Sequence, residues 1–380
     1  MESEHSLSLL NKDNDILQGP LDAYPYPVFT LPNEIVSEIF LRFLPVYPET
    51  PPVVGRLSPS VLCQICRKWR DIALSTPALW RGITLSLSNG RRFDQKLRLL
   101  ETWLQRSGSC LLSIHMNLDV YYDPRKAEIL DLFTHAITAH STRWEYIRFY
   151  SSTRPFPSVA APLPFLRALT MGSVKPIVDG PPNTDPLTQA LHTAPLLQNV
   201  AVAFWRGHGI SLFPWSQLTS FTGHSILPHI CVDILARAHN LTYCHLFVSA
   251  ESNEVTETTQ NVTHRNLSSL ILRGYIPDDM PWKFLDVLTL PALQKLELGE
   301  QLLLREDHIA SLISRSRCNI QELYIRQSQP SSLESYRLAL PSVGSIVSHQ
   351  LNPPNPWLVP RDEEKDEAID GDLAADGDSD

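Results

Sequence analysis

The residues best equipped for chemistry are a cysteine pair, two histidines and a few glycines, and their spacings point away from a reaction. Cys63-Gln64-Ile65-Cys66 offers two thiols, but a structural zinc takes four ligands and no second pair at suitable spacing follows. His135 and His140 stand five apart without the HExxH frame that puts two imidazoles and a glutamate on one helix face. Gly207-His208-Gly209 lacks both the third glycine and the strand-to-helix setting of a dinucleotide site. Neither a GxxxxGK[ST] phosphate loop nor a GxSxG nucleophile elbow occurs, and acidic pairs fall only in scattered contexts. The sequence therefore predicts no catalytic residues, no metal ligands and no cofactor, and the CxxC reads as thiols on an apolar helix stripe.

What needs explaining instead is residues 31–80, LPNEIVSEIFLRFLPVYPETPPVVGRLSPSVLCQICRKWRDIALSTPALW. Leu31-Pro32 opens a helix, because a first-turn proline forfeits no hydrogen bond. Ile35, Val36, Ile39, Phe40, Phe43 and Leu44 recur as pairs four apart and form an apolar stripe, with Asn33, Glu34, Ser37, Glu38 and Arg42 on the other faces. Pro45 ends that helix. Ser58-Pro59 starts a second with a capping hydroxyl and a first-turn proline, and Val61, Leu62, Ile65, Cys66, Trp69, Ile72 and Ala73 mark its stripe. Two short helices cannot bury this many apolar side chains between themselves, so the surplus predicts a partner surface.

These residues resemble the F-box, in the form abundant in mushroom-type fungi: LPxEIxxEIF, a Pro-rich insert, then LxxVCRxWRxIALSTPxLW. The matching positions are Leu31 to Ile35, Glu38-Ile39-Phe40, Leu62 to Cys66, Arg67-Lys68-Trp69-Arg70, Ile72 to Pro77 and Leu79-Trp80. Ile65-Cys66 replaces the usual Val-Cys, and the insert Pro45 to Leu57 lengthens the first connection. The resemblance implies about three short helices docking on a Skp-type adaptor, which links the chain to a cullin and a RING protein in a ubiquitin ligase. It places Leu31, Pro32, Ile35, Ile39, Leu62 and Ile65 on the adaptor-binding stripe. Trp69 and Trp80 are consistent both with adaptor contact and with closing the hairpin core.

The 380 residues allow two or three domains. No run of 18 apolar residues occurs and the N-terminus lacks a basic segment followed by an apolar core, so neither a membrane span nor a secretory signal is expected, and the reading is cytoplasmic or nuclear. Cys63, Cys66, Cys110, Cys231, Cys244 and Cys318 sit in apolar contexts that suit reduced, buried thiols better than a disulfide framework. Of the net charge of −9, all is carried by Asp362 to Asp380, with ten acids and one lysine. The remaining chain balances 31 acids against 31 basic groups, so nothing predicts a nucleic-acid partner. That acidic stretch reads as a solvated tail, open to a basic partner.

After Trp80 the chain repeats. LxxLxL-type triplets begin at Leu166, Leu267, Leu293 and Ile320, with weaker copies from Trp80, Ser109, Trp144, Leu197, Leu218 and Leu241, at spacings of 21 to 35 that settle at 26 to 27. Helix-period segments intervene, around Leu97–Leu104, Ile129–Ile137, Leu187–Leu191, Ile230–Ala238 and Ile309–Ile313. Successive strand–helix units bury their alternating residues only by stacking, which predicts an α+β or α/β solenoid: a three-helix F-box followed by an irregular leucine-rich-repeat arc. The expected organisation is a flexible leader at 1–27, the F-box at 28–87, the repeats at 88–345 and a disordered acidic tail at 346–380. Val248 to Asn266 reads as a polar surface loop, and the sequons at Asn240, Asn261 and Asn266 as idle without secretion.

Residues between the core positions of each strand face the other way. This collects Tyr146, Arg148 and Tyr150, then Tyr243, His245 and Phe247, then Arg273, Lys295, Glu297, Glu322, Tyr324 and Arg326 on the concave side. Interfaces favour Tyr and Arg, so these are the candidate residues for binding a protein target of unknown identity; the alternative is that adjoining loops shield them. The sequence thus predicts the target-recognition subunit of a Skp–cullin–F-box ubiquitin ligase, without catalysis of its own. The competing reading is a repeat scaffold whose hairpin only caps the solenoid.

Overall fold

The computed structural model describes residues 30–87, 92–118, 127–151, 159–173, 186–203, 210–249, 261–275, 284–299, 306–326 and 333–349. The expected leader, nearly all of the expected tail, Gly207–Gly209 and residues 250–260 lie outside these. Among the described residues the architecture is mixed α/β, built on one parallel sheet of 11 strands in the order β1-β2-β3-β4-β5-β6-β7-β9-β11-β12-β13. Its strands are β1 (Gly82–Ser86), β2 (Leu112–Asn117), β3 (Trp144–Ser151), β4 (Ala168–Ser173), β5 (Asn199–Ala203), β6 (Ser220–Ile226), β7 (Tyr243–Ser249), β9 (Ser269–Tyr275), β11 (Lys295–Gly299), β12 (Glu322–Arg326) and β13 (Ser345–His349). A two-residue pair, β8 (Val262–Thr263) with β10 (Leu288–Thr289), stands apart. The helices are α1 (Asn33–Phe43), α2 (Leu62–Ile65), α3 (Arg67–Leu74), α4 (Phe93–Arg106), α5 (Ala127–Thr138), α6 (Pro186–His192), α7 (Pro228–Arg237), α8 (Glu306–Ser316) and α9 (Leu333–Ala339). None is long and apolar enough to cross a membrane.

Each of the ten apolar triplets lands on a strand. The cause is visible in the register: Ile83, Ile114, Ile147, Leu169, Val200, Phe221, Cys244, Leu270, Leu296 and Leu323 pair in one row across the sheet. All ten are buried, as is the row two residues on, from Leu85 and Met116 to Leu298 and Ile325. A third buried row, Leu166, Leu197, Leu218, Leu241, Leu267, Leu293 and Ile320, precedes the strands. There the backbone forms its own ladder: the amides of Gln198, Thr219, Thr242, Ser268, Gln294 and Gln321 each donate to a carbonyl one unit back, at 2.8–3.1 Å. The turns beside this buried row thereby keep their backbone polar groups paired. The side-chain amides of Gln217, Asn240 and Asn266 likewise donate to carbonyls of the preceding unit, so two of the three formal sequons serve as turn fasteners.

Tryptophans close the helix ends. The Trp80 indole N–H donates to the carbonyl of Ala73, next to last in α3, and the Trp144 N–H to that of Ile137, next to last in α5. These carbonyls also accept from the amides of Thr76 at 3.3 Å and His140 at 3.1 Å, so each buried ring adds a second donor at a helix end.

Four expectations need correction. The second apolar stripe is not one helix: Cys66 adopts an extended backbone (φ −159°, ψ 167°) between α2 and α3, and its Sγ accepts from the Trp69 amide at 3.4 Å, capping α3. The segment 248–266 is not wholly a surface loop. It contains β8 and His264, which is buried with Nε2 2.8 Å from the Ala238 carbonyl while Nδ1 accepts from the Leu267 amide. The sheet runs past residue 345, since Ser345–His349 pairs with β12. Cys63, Cys66 and Cys110 are half-buried; only Cys231, Cys244 and Cys318 are buried, and all six are free thiols.

Gly274 has φ +133°, and a Cβ built there would collide with the Val248 backbone. Gly274→Ala should destabilise the chain by about 1–3 kcal/mol or more through strain, read as a lower urea midpoint at an unchanged m-value.

Candidate interaction surfaces

The hairpin splits its apolar residues between two directions. On α1, Val36 and Phe40 point inward and are buried, and the Phe40 ring meets Trp69 at 4.9 Å. The adjacent row, Ile35 and Ile39, stays 48% and 47% exposed, with Phe43 one turn further on. Ile65 on α2 is 55% exposed, and Val46, Leu57 and Leu74 add to the uncovered apolar surface. Seven of the ten exposed large hydrophobics found among the described residues thus lie between 35 and 74. Scattered apolar residues need no explanation, but a concentration of this kind does. Ser37 Oγ meets Thr76 Oγ1 at 3.1 Å and the Arg70 Nε–H donates to the Cys63 carbonyl at 2.8 Å, fixing α1, α2 and α3 relative to one another.

Of the stripe expected to meet an adaptor, Pro32, Ile35, Ile39 and Ile65 are exposed, and Leu31 and Trp69 are half-buried. Leu62 and Trp80 are not on that surface. Leu62 is buried under the hairpin, and Trp80 is fully enclosed, its ring edge-on to Trp103 of α4 at 4.9 Å. Both belong to the core that carries the surface. Periodicity misses this division because Ile35/Ile39 and Val36/Phe40 are neighbouring rows of one broad stripe.

The second surface is the sheet face opposite the buried rows. The register brings the expected residues into rows: Tyr146, Tyr243, Lys295 and Glu322 in one, Arg148, His245, Glu297 and Tyr324 in the next, with Tyr150 and then Phe247 beside Arg273 further along. Arg326 continues the strand, opposite Gly299; its side chain lies outside the description.

Packing divides this face in two. Over β1–β3 the chain itself lies against part of it: Tyr47 stacks edge-on against Tyr146 at 5.6 Å, and Glu49 sits 3.5 Å from Arg148, which stays half exposed. The Tyr150 ring reaches over β4, where a Cβ on Gly172 would come within 2.5 Å of it. Tyr146 and Arg148 are therefore engaged in cis. From β6 to β12 the face presents aromatic rings among mutually paired charges. His224, which sequence reading overlooked, stacks on Phe247 at 4.6 Å and 5°. Arg273 donates two hydrogen bonds to Glu297 Oε1, Lys295 pairs with Glu322 at 3.2 Å and lies 4.5 Å over the Tyr324 ring, and the Tyr324 hydroxyl donates to Glu322. His245 is buried between these rows. No three His, Cys, Asp or Glu side chains come together to hold a metal ion among the described residues.

Two imidazoles on this face are held neutral. Burial, helped by Arg273, lowers His224 to about 4, and burial, helped by Arg148 against an opposing Glu49, lowers His115 to about 4. Unfolded histidines titrate near 6.5, so below that pH the unfolded chain binds more protons and stability falls between pH 6.5 and 4. The melting temperature should drop across that window, and less steeply in a His115→Gln/His224→Gln variant. On α1, Phe40→Ala should cost about 3–5 kcal/mol while Ile35→Asp with Ile39→Asp should stay within about 0.5 kcal/mol per site, because only the former row is core; chemical denaturation distinguishes them. Comparison with protein-family models finds no match for this chain, and neither does comparison with curated proteins.

Proposed function

We propose that the chain is the target-recognition subunit of a Skp–cullin–F-box ubiquitin ligase. In this reading residues 28–87 form an F-box that docks a Skp-type adaptor through Pro32, Ile35, Ile39 and Ile65, flanked by Leu31, Phe43 and Trp69. The strands that follow form a leucine-rich-repeat domain whose outer face holds the target protein. The observation that carries the reading is the uncovered row on α1: Val36, Phe40 and Trp80 are buried within the chain, while Ile35, Ile39 and Ile65 stay open. Fully covering a side chain of this kind gains roughly 1.5–3 kcal/mol, and a half-exposed one keeps about half of that in reserve for a partner. The chain itself then needs no chemistry. Holding a target beside a charged conjugating enzyme raises its effective concentration, and that is the contribution asked of a receptor.

A second reading, a repeat scaffold capped by the hairpin, draws support from Trp80 and Leu79, which seal the core at β1. Removing residues 1–80 does not separate the two, since either loses Trp80 from against Trp103. A surface change does. The tagged chain should bind a purified Skp-type adaptor 1:1, and Ile35→Asp with Ile39→Asp should weaken binding at least 100-fold, about 2.7 kcal/mol, with the melting temperature unchanged. Leu31→Ala with Ile35→Ala should weaken it in the same direction. No adaptor binding by the folded wild-type chain, or undiminished binding by the double Asp variant, leaves the scaffold reading standing.

A further inference from the structure

The Pro-rich connection between α1 and α2 is seated, and its seat is the sheet. At β1 Pro52 forms a parallel bridge to Thr84 along the edge that β2 leaves free. Proline suits that place, because an edge position asks for no N–H on its solvent side. The chain then reaches across the outer face. The Ser113 hydroxyl of β2 donates to the Pro48 carbonyl at 2.6 Å, Glu49 pairs with Arg148 of β3, and the Tyr47 hydroxyl donates to Glu145 Oε2 at 2.8 Å. The Tyr47 ring lies between Tyr146 and the Arg81 guanidinium, which is 3.7 Å from its centroid. Pro51 and Val53 are buried, and the Ser58 hydroxyl donates to the Val53 carbonyl at 2.8 Å. Gly82 makes room: a Cβ there would stand 2.9 Å from Pro51 Cδ.

We propose that Tyr47–Val53 is a strap that pins the N-terminal hairpin to the sheet, seals the open edge of β1 and engages Tyr146 and Arg148 on the outer face of β3. The hairpin has one joint on the core side, where Trp80 and Leu79 pack under β1. One joint leaves the helices free to rock about it. The strap adds a second on the opposite side of the sheet, and two attachments on opposite sides remove that freedom. Pro48, Pro51 and Pro52 restrict the unfolded segment in advance, so seating it costs less conformational entropy than an ordinary loop of this length. The same interactions block the edge of β1 against pairing with another chain. None of this depends on what α1 binds.

The test uses the full chain with nitroxide labels at Glu38 on α1 and Glu128 on α5, together with hydrogen exchange over residues 45–54. The wild type should give one narrow distance distribution and slow exchange. Gly82→Ala, which pushes Pro51 from its seat, and Glu49→Arg, which sets like charges together, should at least double the width of the distribution. Strap exchange should accelerate about tenfold or more. Adding Arg148→Glu to Glu49→Arg should restore both, and this exposed pair keeps the test open if Gly82→Ala fails to fold. Faster strap exchange with an unchanged distribution would mean that the Trp80 joint alone sets the hairpin, and the proposal fails. No change in either measurement overturns it as well.

Discussion

A parallel sheet whose strands each bury one face depends on its neighbours: no single strand–helix unit encloses its own leucines. Ile83, Ile114, Ile147, Leu169 and their successors are covered only because the next unit repeats the pattern one step along. Among the described residues β1 stands at the edge of the sheet, and it is here that the chain places its N-terminal hairpin. Trp80 and Leu79 reach under β1, and the Trp80 indole also terminates α3 through Ala73. The hairpin is thus part of the core at one end and a surface at the other, and its helices have to satisfy both.

That double demand explains the breadth of the apolar stripe on α1. A helix that only capped a sheet would need the Val36/Phe40 row, and the neighbouring Ile35/Ile39 row would be free to be polar. Here it is not: about half of each of these side chains faces water, at a cost in solubility that folding does not require. The same logic applied to the outer sheet face gives a different answer. Its charges are already paired with one another, as in Arg273–Glu297 and Lys295–Glu322, so a partner there would meet rings and neutralised pairs rather than an open field of one sign.

The sheet was legible in the sequence because its signal is local and repeated. An apolar alternation recurs ten times, each copy led by a leucine, isoleucine or its stand-in, and strand faces then follow from a period of two. The eleventh strand was not, since Ser345–His349 lies in a Ser- and Pro-rich stretch, led by Val343 where most other units carry a leucine or isoleucine. The break at Cys66 was hidden for another reason: the apolar spacing runs through it unbroken, and a cysteine sulfur rarely serves as the cap. His264 was misread as loop because polarity counts against burial only until the ring finds partners, here Ala238 and Leu267.

Long-range seating is what no pattern in the sequence carried. The prolines of the insert announce an extended segment, but nothing in YPETPPV says that it will cross β1, β2 and β3 and land on Glu145, 98 residues further on. The consequence reaches the candidate site directly. Tyr146 and Arg148 have the residue types and the register of an open binding face, but Tyr146 packs against Tyr47 and Arg148 pairs with Glu49. Composition and periodicity can place a side chain on a face; whether that face is open depends on contacts made by residues distant in the chain, and these exist only once the chain has folded.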